Sequence, residues 1–263
     1  MSDESPLLIQ RDGPVVRMVL NRPARRNAMN EAMVERMDAV FADLQTDKLA
    51  RVLVISGAGG HFCAGLDLTE VGAPETPEEK LARQAERNRR TGARFQTISE
   101  LPQVVIAAVE GAAYAGGLGF VCAADIALAA PSARFSAPEV RRGLVPAQIL
   151  PWLARRMGRS EAARLCLQGH VLDAAEAARV GLVHAVSDNP DAILAATISD
   201  IMKGAPGALA ETKVLIAMLG ATVPEGYAAA GAESFARRAA SAEAAEGIAS
   251  FRERRKPEWA IGG

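Results

Sequence analysis

The chain has 263 residues, of which 49% are apolar and 23% charged, and its formal net charge is −1. This length buries a full core in one large domain, and the composition is ordinary for a globular protein. The near-neutral charge argues against a broad basic surface for nucleic acid. No apolar run reaches membrane-spanning length, and the acidic, polar N-terminus is unlike a secretory signal, so we expect a cytoplasmic protein.

The cysteines and histidines indicate neither a disulfide framework nor a metal site. Cys63, Cys122 and Cys166 are far apart and form no CxxC pair, and the first two lie among small residues, as packing cysteines do. The histidines lack metal-ligand spacing. They are His61, His170 and His184.

Strands and helices alternate in the first half of the chain, which predicts an α/β fold. Asn30 is placed to cap a helix, and the apolar residues of that helix recur at helical spacing. The charges of a second helix are most simply a solvated face, the alternative being a mobile lid over a pocket. The predicted elements are a hairpin over 7–21, helices over 31–46 and 78–98, and strands over 51–56, 104–109 and 125–130.

One stretch combines a buried strand with a dense cluster of glycines. The strand over 104–109 is followed by a predicted turn, Gly116-Gly117-Leu118-Gly119, and then by a helix over 120–124. Glycines at a helix start expose N–H groups, which bind a phosphate or a carbonyl oxyanion, although a simple tight crossover has the same pattern. The sequence over 51–68 predicts the same order of strand, small-residue turn and helix start. Two such turns can place two N–H groups around one point.

The character of the chain changes beyond Pro146, where helices dominate and alanine is frequent. Alanine-rich helices suit close packing within or between subunits. We predict helices over 149–157, 160–167, 174–178, 190–202, 209–219, 225–238 and 242–254, with one strand-like segment over 181–186.

Five segments, in this order, resemble the crotonase or enoyl-CoA hydratase superfamily, and together they cover nearly the whole chain. The resemblance implies an α/β, ClpP-like spiral of βαβ units over residues 1–200 and a helical oligomerisation region over 201–263. It also implies a homotrimer or homohexamer that acts on an acyl-CoA thioester and uses no cofactor besides the coenzyme A of its substrate. The segments are NRPARRNAMN (21–30), GAGGHFCAGLDL (57–68), VEGAAYAGGLGFVCAADIALAA (109–130), FSAPEVRRGLVP (135–146) and EGIASFRERRKPEW (246–259).

The resemblance assigns an oxyanion hole to two main-chain N–H groups, those of Ala64 and Gly116. Such a pair polarises the thioester carbonyl and stabilises the enolate oxygen that forms during the reaction. It also places the adenine and phosphates of coenzyme A near the first two motifs, with help from basic residues at the C-terminal end. For each basic residue a solvated position is the alternative. The implied coenzyme A contacts are Arg25, Arg26, Ala28, His61, Cys63, Leu66, Asp67, Leu68, Arg254 and Lys256.

The chain departs from the family at one catalytic position. Hydratases of this family use two glutamates to activate one water; the second is present here as Glu139, whereas the first position is Gly119. We therefore expect Glu139 alone to take a proton from water as it adds to the β-carbon and to exchange a proton at the α-carbon. The alternative is a surface glutamate in a turn.

The segment 139–151 and the GGLGF turn resemble the branch that hydrates glutaconyl-type esters, such as methylglutaconyl- or isohexenylglutaconyl-CoA. Arg141, Arg142 or Gln148 would then face the second carboxylate. The alternatives are an isomerase, dehydratase or decarboxylase with the same oxyanion hole, or a non-catalytic subunit that binds coenzyme A. A dinucleotide-binding motif over 117–122 is rejected, because its last glycine is missing and Asp125 comes too early for a ribose contact.

Overall fold

Two sheets form the centre of the fold. The structure is a computed structural model that describes residues 5–67, 76–142, 144–219 and 241–259. Numbered in chain order, the larger sheet contains, side by side, β1 (Leu7–Asp12), β2 (Val15–Leu20), β3 (Val52–Gly57), β4 (Val104–Val109), β6 (Ile126–Ala129) and β9 (Ala185–Val186). The smaller sheet contains β5 (Ala112–Tyr114), β7 (Arg134–Ser136) and β8 (Val171–Asp173).

All neighbours in the larger sheet are parallel except the hairpin of β1 and β2, which confirms the hairpin predicted around Asp12-Gly13. Gly13 has φ +54, a left-handed conformation that glycine adopts without strain. Parallel strands need crossover connections, and helices supply them here. As a result, the carboxyl ends of β3 and β4 lie side by side at one edge of the sheet.

The helices follow the predicted order. Asn30 accepts a hydrogen bond from the Met33 N–H at 3.1 Å, as predicted for a helix cap. Thr76 and Glu79 form a capping box at the start of the second helix. The helices are α1 (Glu31–Thr46), α2 (Pro77–Glu100), α3 (Gly116–Ala123), α4 (Leu150–Gln168), α5 (Ala174–Arg179), α6 (Pro190–Met202), α7 (Pro206–Met218) and α8 (Ala242–Glu253).

The core occupies both faces of the larger sheet, because alternate residues of a strand point to opposite faces. In β3, Leu53 and Ile55 face the larger core, which includes buried residues of α1, α2 and α3. Val52 and Val54 face a smaller core under α6. Within the described ranges, no helix combines the length and the apolar character that crossing a bilayer requires.

Several predicted elements differ from the structure. The glycines of 116–119 form the first turn of α3 and are not a turn before it, and 61–67 forms two isolated β-bridges where a helix start was predicted. The helices predicted over 149–157 and 160–167 form α4, which is kinked at Gly158 with φ +80. The sequence analysis missed β5, β7 and β8, each of which has three residues, too few for a periodicity signal. The helix predicted over 225–238 lies outside the described residues.

An ion pair attaches α7 to the sheet. Lys213 Nζ lies 2.6 Å from Asp125 Oδ2 and donates to the carbonyl of Gln103 at 2.6 Å. The Asp125 carboxylate also accepts the Val105 N–H at 2.8 Å. Burial lowers the pKa of Lys213, whose side chain is 10% exposed, while the charge of Asp125 opposes the shift. The Asp125 carboxylate therefore stabilises the charged form of the buried Lys213 ammonium group.

We predict that Asp125→Ala lowers the free energy of unfolding by about 3 kcal/mol, since it leaves a buried ammonium without its counter-charge. Adding Lys213→Met should recover most of that loss, because no charge then remains buried. Urea unfolding of the two single variants and the double variant measures the coupling. Equal losses in Asp125→Ala and in the double variant would show that the charge itself is not what costs stability.

Candidate active site

A cleft of about 450 Å³ opens at the carboxyl edge of the larger sheet, beside the start of α3. This volume lies within the range of small-molecule sites. One wall is the cleft-facing side of α2, and the opposite wall is the segment 144–149. Between them lie Ala64, Leu66, Gly116 and Glu139. The cleft thus brings together residues from three of the sequence motifs.

The start of α3 presents an N–H group to the cleft. Ala115 precedes the helix with φ +50 and ψ −122, a conformation that is strained for any residue with a side chain. Its own N–H donates to the Ser136 carbonyl at 3.0 Å. The next N–H, that of Gly116, makes no hydrogen bond within the described part of the chain. It lies at the positive end of the helix dipole, where negative charge is favoured.

The second N–H of the predicted oxyanion hole differs from the prediction. The N–H of Ala64 donates to the Arg26 carbonyl at 3.0 Å and is therefore occupied. Leu66 forms a parallel bridge with Met29, in which the flanking groups of Gly65 and Asp67 make the hydrogen bonds. In such a bridge the N–H of the middle residue points away from the partner strand. The N–H of Leu66 donates to no other described residue, and Leu66 lines the cleft.

Gly65 brings the two N–H groups close together. A Cβ on this residue would lie 3.0 Å from the Ala115 Cβ and 3.5 Å from the Gly116 nitrogen. Gly65 also has φ +96, which only glycine adopts without strain. Glycine at 65 therefore permits the segment before Leu66 to pack directly against the start of α3.

Asn27 is a structural residue of the site that the sequence analysis missed. It is fully buried, and its side chain accepts the Arg22 N–H at 2.8 Å. Its amide nitrogen donates to the carbonyls of Ala58 at 2.9 Å and His61 at 2.6 Å. Asn27 also has φ +55, which asparagine tolerates better than most residues. An asparagine after two arginines in a turn was the available signal, but its long-range partners were not visible in the sequence.

Three residues predicted to contact coenzyme A have structural roles instead. Cys63 is fully buried, and burial raises the pKa of its thiol to about 12. The Asp67 carboxylate pairs with the Arg22 guanidinium at 2.9 Å and is 5% exposed. His61 Nδ1 accepts the Ala112 N–H at 3.2 Å. The Cys63 thiol is therefore shielded from a ligand, and the Asp67 and His61 side chains are occupied by protein partners; the three contacts stay predictions.

The other predicted coenzyme A contacts lie outside the cleft, apart from Leu66. Arg25 and Arg26 are exposed and Ala28 is half-buried, all on the loop that packs behind the 61–67 segment. At the opposite end of the chain, two further basic residues are exposed just after α8. They are Arg254 and Lys256. These five stay predictions, while Leu68 lies outside the described residues.

Glu139 is the one carboxylate among the described residues that line the cleft. It follows Pro138 and begins a 3-10 turn that runs to Arg142. Its Oε2 atom is shielded from solvent. The Glu139 carboxylate also affects Cys166 of α4. Burial, and to a smaller extent the negative charge of Glu139, raise the pKa of the Cys166 thiol to about 11. Glu139 is therefore set against the protein interior and is not a surface group in an open turn.

The ring of Phe95 fills the space beside Gly119. A Cβ at residue 119 would lie 2.2 Å from the Phe95 Cζ atom, which no real contact permits. Phe95 is fully buried on α2 and packs edge-on against Phe120, with ring centroids 5.2 Å apart. The core therefore has no room for a carboxylate side chain at position 119, because an aromatic ring occupies that space.

Two of the three residues proposed to face a second carboxylate have described side chains, and of these Gln148 lines the cleft and Arg141 does not. Its Nε2 donates to Asn88 Oδ1 on α2 at 3.0 Å. Arg141 instead donates to the Gln168 carbonyl at 3.0 Å and packs against Gly169. The side chain of Arg142 is outside the described part of the structure.

Main-chain N–H groups, a carboxyl group and a partly apolar cleft are the parts that an enzyme acting on a carbonyl compound needs. Comparison with known proteins identifies the family. Residues 10–261 match the model of the enoyl-CoA hydratase/isomerase family. The chain belongs to this family.

Similar proteins support the same conclusion. A putative enoyl-CoA hydratase of Thermus thermophilus is 32% identical over 257 residues, which cover 94% of this chain and 98% of the relative. An enoyl-CoA hydratase/isomerase from Marinobacter aquaeolei is 37% identical with a TM-score of 0.89, covering 97% of this chain and 99% of that one. Pseudomonas aeruginosa AtuE is 38% identical, with the same TM-score and coverage. The predicted crotonase fold class is confirmed.

We predict that Gly119→Glu lowers the free energy of unfolding by about 1–3 kcal/mol or more, because the new side chain collides with the Phe95 ring. Phe95→Ala alone should also destabilise the protein, since it empties part of the core. The double variant should lose less than the sum of the two, because the glutamate occupies the vacated space. Urea unfolding measures all three, and a fully stable Gly119→Glu would contradict the steric account.

Proposed function

We propose that this protein is an enoyl-CoA hydratase that adds water across the α,β double bond of an acyl-CoA thioester. The observation that carries the proposal is the meeting of the Leu66 and Gly116 N–H groups and the Glu139 carboxylate around one cleft. Family membership supports the thioester substrate. In this proposal Leu66 replaces Ala64 as the second oxyanion donor, because the N–H of Ala64 already holds the Arg26 carbonyl.

The proposed reaction needs one base and one oxyanion hole. Glu139 takes a proton from water as the water oxygen bonds to the β-carbon, and the electrons of the double bond move onto the thioester oxygen. The N–H groups of Leu66 and Gly116 stabilise this enolate oxygen when they lie about 2.7–3.1 Å from it. The protonated Glu139 then returns the proton to the α-carbon. One carboxylate thus acts first as base and then as acid, and no cofactor takes part.

Isomerisation of a double bond is the second candidate. It requires one group that moves a proton between two carbons of the same enolate, and the described lining offers a single carboxylate for it. Incubation with a β,γ-enoyl-CoA and with its α,β isomer separates the two activities. Hydration of the α,β isomer supports the first proposal, and interconversion of the isomers without hydration supports the second.

A glutaconyl-type substrate is less well supported than an uncharged acyl group. Among the described residues that line the cleft there is no arginine or lysine to pair with a second carboxylate. Arg141 is turned toward Gln168, and Glu139 would repel a nearby negative charge. Burial of an unpaired carboxylate costs free energy, and the described lining offers no positive charge to offset that cost.

We also propose that the region 201–263 joins the subunits of a trimer or a hexamer. The support is α7, along which apolar side chains are exposed in the single chain. Apolar residues in such numbers on one helix favour contact with another subunit. They are Val214, Ile216 and Met218, with Leu219 just beyond the helix.

We predict that Glu139→Gln lowers kcat for hydration by about 10²–10⁴-fold, because the amide cannot take up the proton of water. The KM should change little, since the two side chains have the same shape. Glu110→Gln is the matched control, because Glu110 is exposed and outside the cleft. Steady-state kinetics with crotonyl-CoA measures both. Full activity in Glu139→Gln would refute the assignment of Glu139 as the base, whereas a wild-type protein without any hydratase activity would leave a non-catalytic, coenzyme A-binding protein as the alternative.

The two candidate donors, Leu66 and Ala64, are separated by removing one N–H at a time. Replacing residue 66 by its α-hydroxy acid turns the amide into an ester, and we expect a loss of about 10²–10³-fold in kcat. The same change at residue 64 removes only the bond to the Arg26 carbonyl and should leave kcat within a few-fold. A large loss at residue 64 with none at residue 66 would restore the donor that the sequence predicts.

A further inference from the structure

The two walls of the cleft differ in chemistry. The segment 144–149 is apolar except for Gln148. The opposite wall is α2, which presents Gln84, Asn88 and Thr91 to the cleft. Spacings of four and three residues place these side chains on one face of the helix. Gln84 and Asn88 are exposed in the single chain, so a hydrocarbon chain bound along this wall would cover them without replacing their hydrogen bonds to water.

Gln148 connects the two walls across the cleft. Its Nε2 donates to Asn88 Oδ1 at 3.0 Å, and its Oε1 lies against the backbone of α2 at Gly92. A Cβ at residue 92 would be only 2.0 Å from that oxygen. The Gln148 side chain can therefore pack against α2 only because residue 92 is glycine.

Glycine in the interior of a helix costs about 1 kcal/mol relative to alanine, so its presence at this position calls for a packing reason. Gly92 lies well inside α2, eight residues from its C-terminal end. The end of the Gln148 side chain, with Oε1 at 2.0 Å and Cδ at 2.8 Å, is the described group that excludes a Cβ there. Glycine at this position weakens α2 but allows the Gln148 amide to pack against it at the cleft.

The amide pair keeps hydrogen-bonding capacity for a ligand. The bond between Gln148 and Asn88 uses one donor of the first and one acceptor of the second. The Asn88 amide nitrogen and the Gln148 oxygen make no other hydrogen bond among the described residues, and Gln84 lies one turn along the same wall. The pair can therefore donate to and accept from the same group. A hydroxyl fits this because it both donates and accepts, whereas a keto oxygen and a carboxylate only accept, and a carboxylate would also share the cleft with Glu139.

We propose that Gln148 and Asn88 form a specificity site for a hydroxyl group on the acyl chain of the enoyl-CoA substrate. The inference rests on the proposed hydratase function and names its substrate class. Gln148 is the principal contact, and Gly92 is a positioning residue that holds Gln148 on α2.

The test compares a series of trans-2-enoyl-CoA thioesters of increasing length, each ending in a hydroxyl, with hydrocarbon chains of the same number of non-hydrogen atoms. At the chain length that reaches Gln148, we expect kcat/KM about tenfold higher for the hydroxylated chain, the value of one good hydrogen bond. Gln148→Leu should abolish or reverse this preference. A wild-type protein that hydrates both series equally, or that prefers a terminal carboxylate, overturns the inference.

Two further variants separate recognition from structure. Gly92→Ala should retain a stable α2, because alanine favours the helix and the displaced atom is the end of a flexible side chain. It should nevertheless lose the preference for the hydroxyl, as Gln148→Leu does. Leu144→Ala, on the apolar part of the same wall, should change both series by the same factor. A preference that survives in both Gly92→Ala and Gln148→Leu shows that the amide pair only joins the two walls.

Crotonyl-CoA, which is too short to carry such a group, serves as the reference substrate. If crotonyl-CoA is hydrated and the longer hydroxylated and hydrocarbon chains are hydrated equally well, the specificity inference alone is wrong. If no enoyl-CoA is hydrated, the proposed function fails, and the inference fails with it.

Discussion

The site depends on how the main chain of residues 61–67 is held between two neighbouring segments. The N–H of Cys63 donates to the Ala112 carbonyl at 2.8 Å, and the carbonyl of Cys63 accepts the Tyr114 N–H at 2.9 Å. On the other side, Gly65 and Asp67 bond to Met29. These bonds fix the segment without using the N–H of Leu66, whose direction is set before any ligand arrives. A donor fixed in advance stabilises developing charge without reorganising, which is the physical basis of an oxyanion hole.

Much of this fold was predictable, because it rests on local patterns. The hairpin at Gly13, the cap at Asn30 and the buried strands followed from turn chemistry, hydrogen-bonding residues and apolar runs. The short strands β5 and β8 were not predictable, since their pairing depends on partners distant in sequence. The bond of the Ala64 N–H was unpredictable for a related reason. The motif identified the loop, but the sequence does not show that the Arg26 carbonyl, far along the chain, accepts this N–H, and that bond is why we propose Leu66.

The contact between Phe95 and Gly119 links core packing to catalysis. A family hydratase with two glutamates must leave room and solvation for a second carboxylate beside the reacting carbons. Here that room holds a fully buried aromatic ring, which stabilises the junction of α2 and α3 by dispersion and by its edge-on contact with Phe120. The ring favours stability at α3, and in the proposed reaction it leaves all proton transfer to Glu139. The sequence indicated the missing side chain, but only the structure shows what replaces it.

The same helix, α2, therefore shapes the site in two ways. Phe95 fills the core beside Gly119 in the first turn of α3, while Asn88, two turns earlier, carries the amide that Gln148 contacts. In the proposed function the ring keeps a carboxylate away from position 119, whereas the Asn88 and Gln148 amides, whose hydrogen bond is exposed, offer partners to a polar group on the acyl chain. A bound hydrocarbon chain would cover these amides without replacing their hydrogen bonds to water, and that loss costs more than one lost methylene. Substrate choice in this protein should therefore follow the position of an oxygen on the acyl chain more closely than chain length.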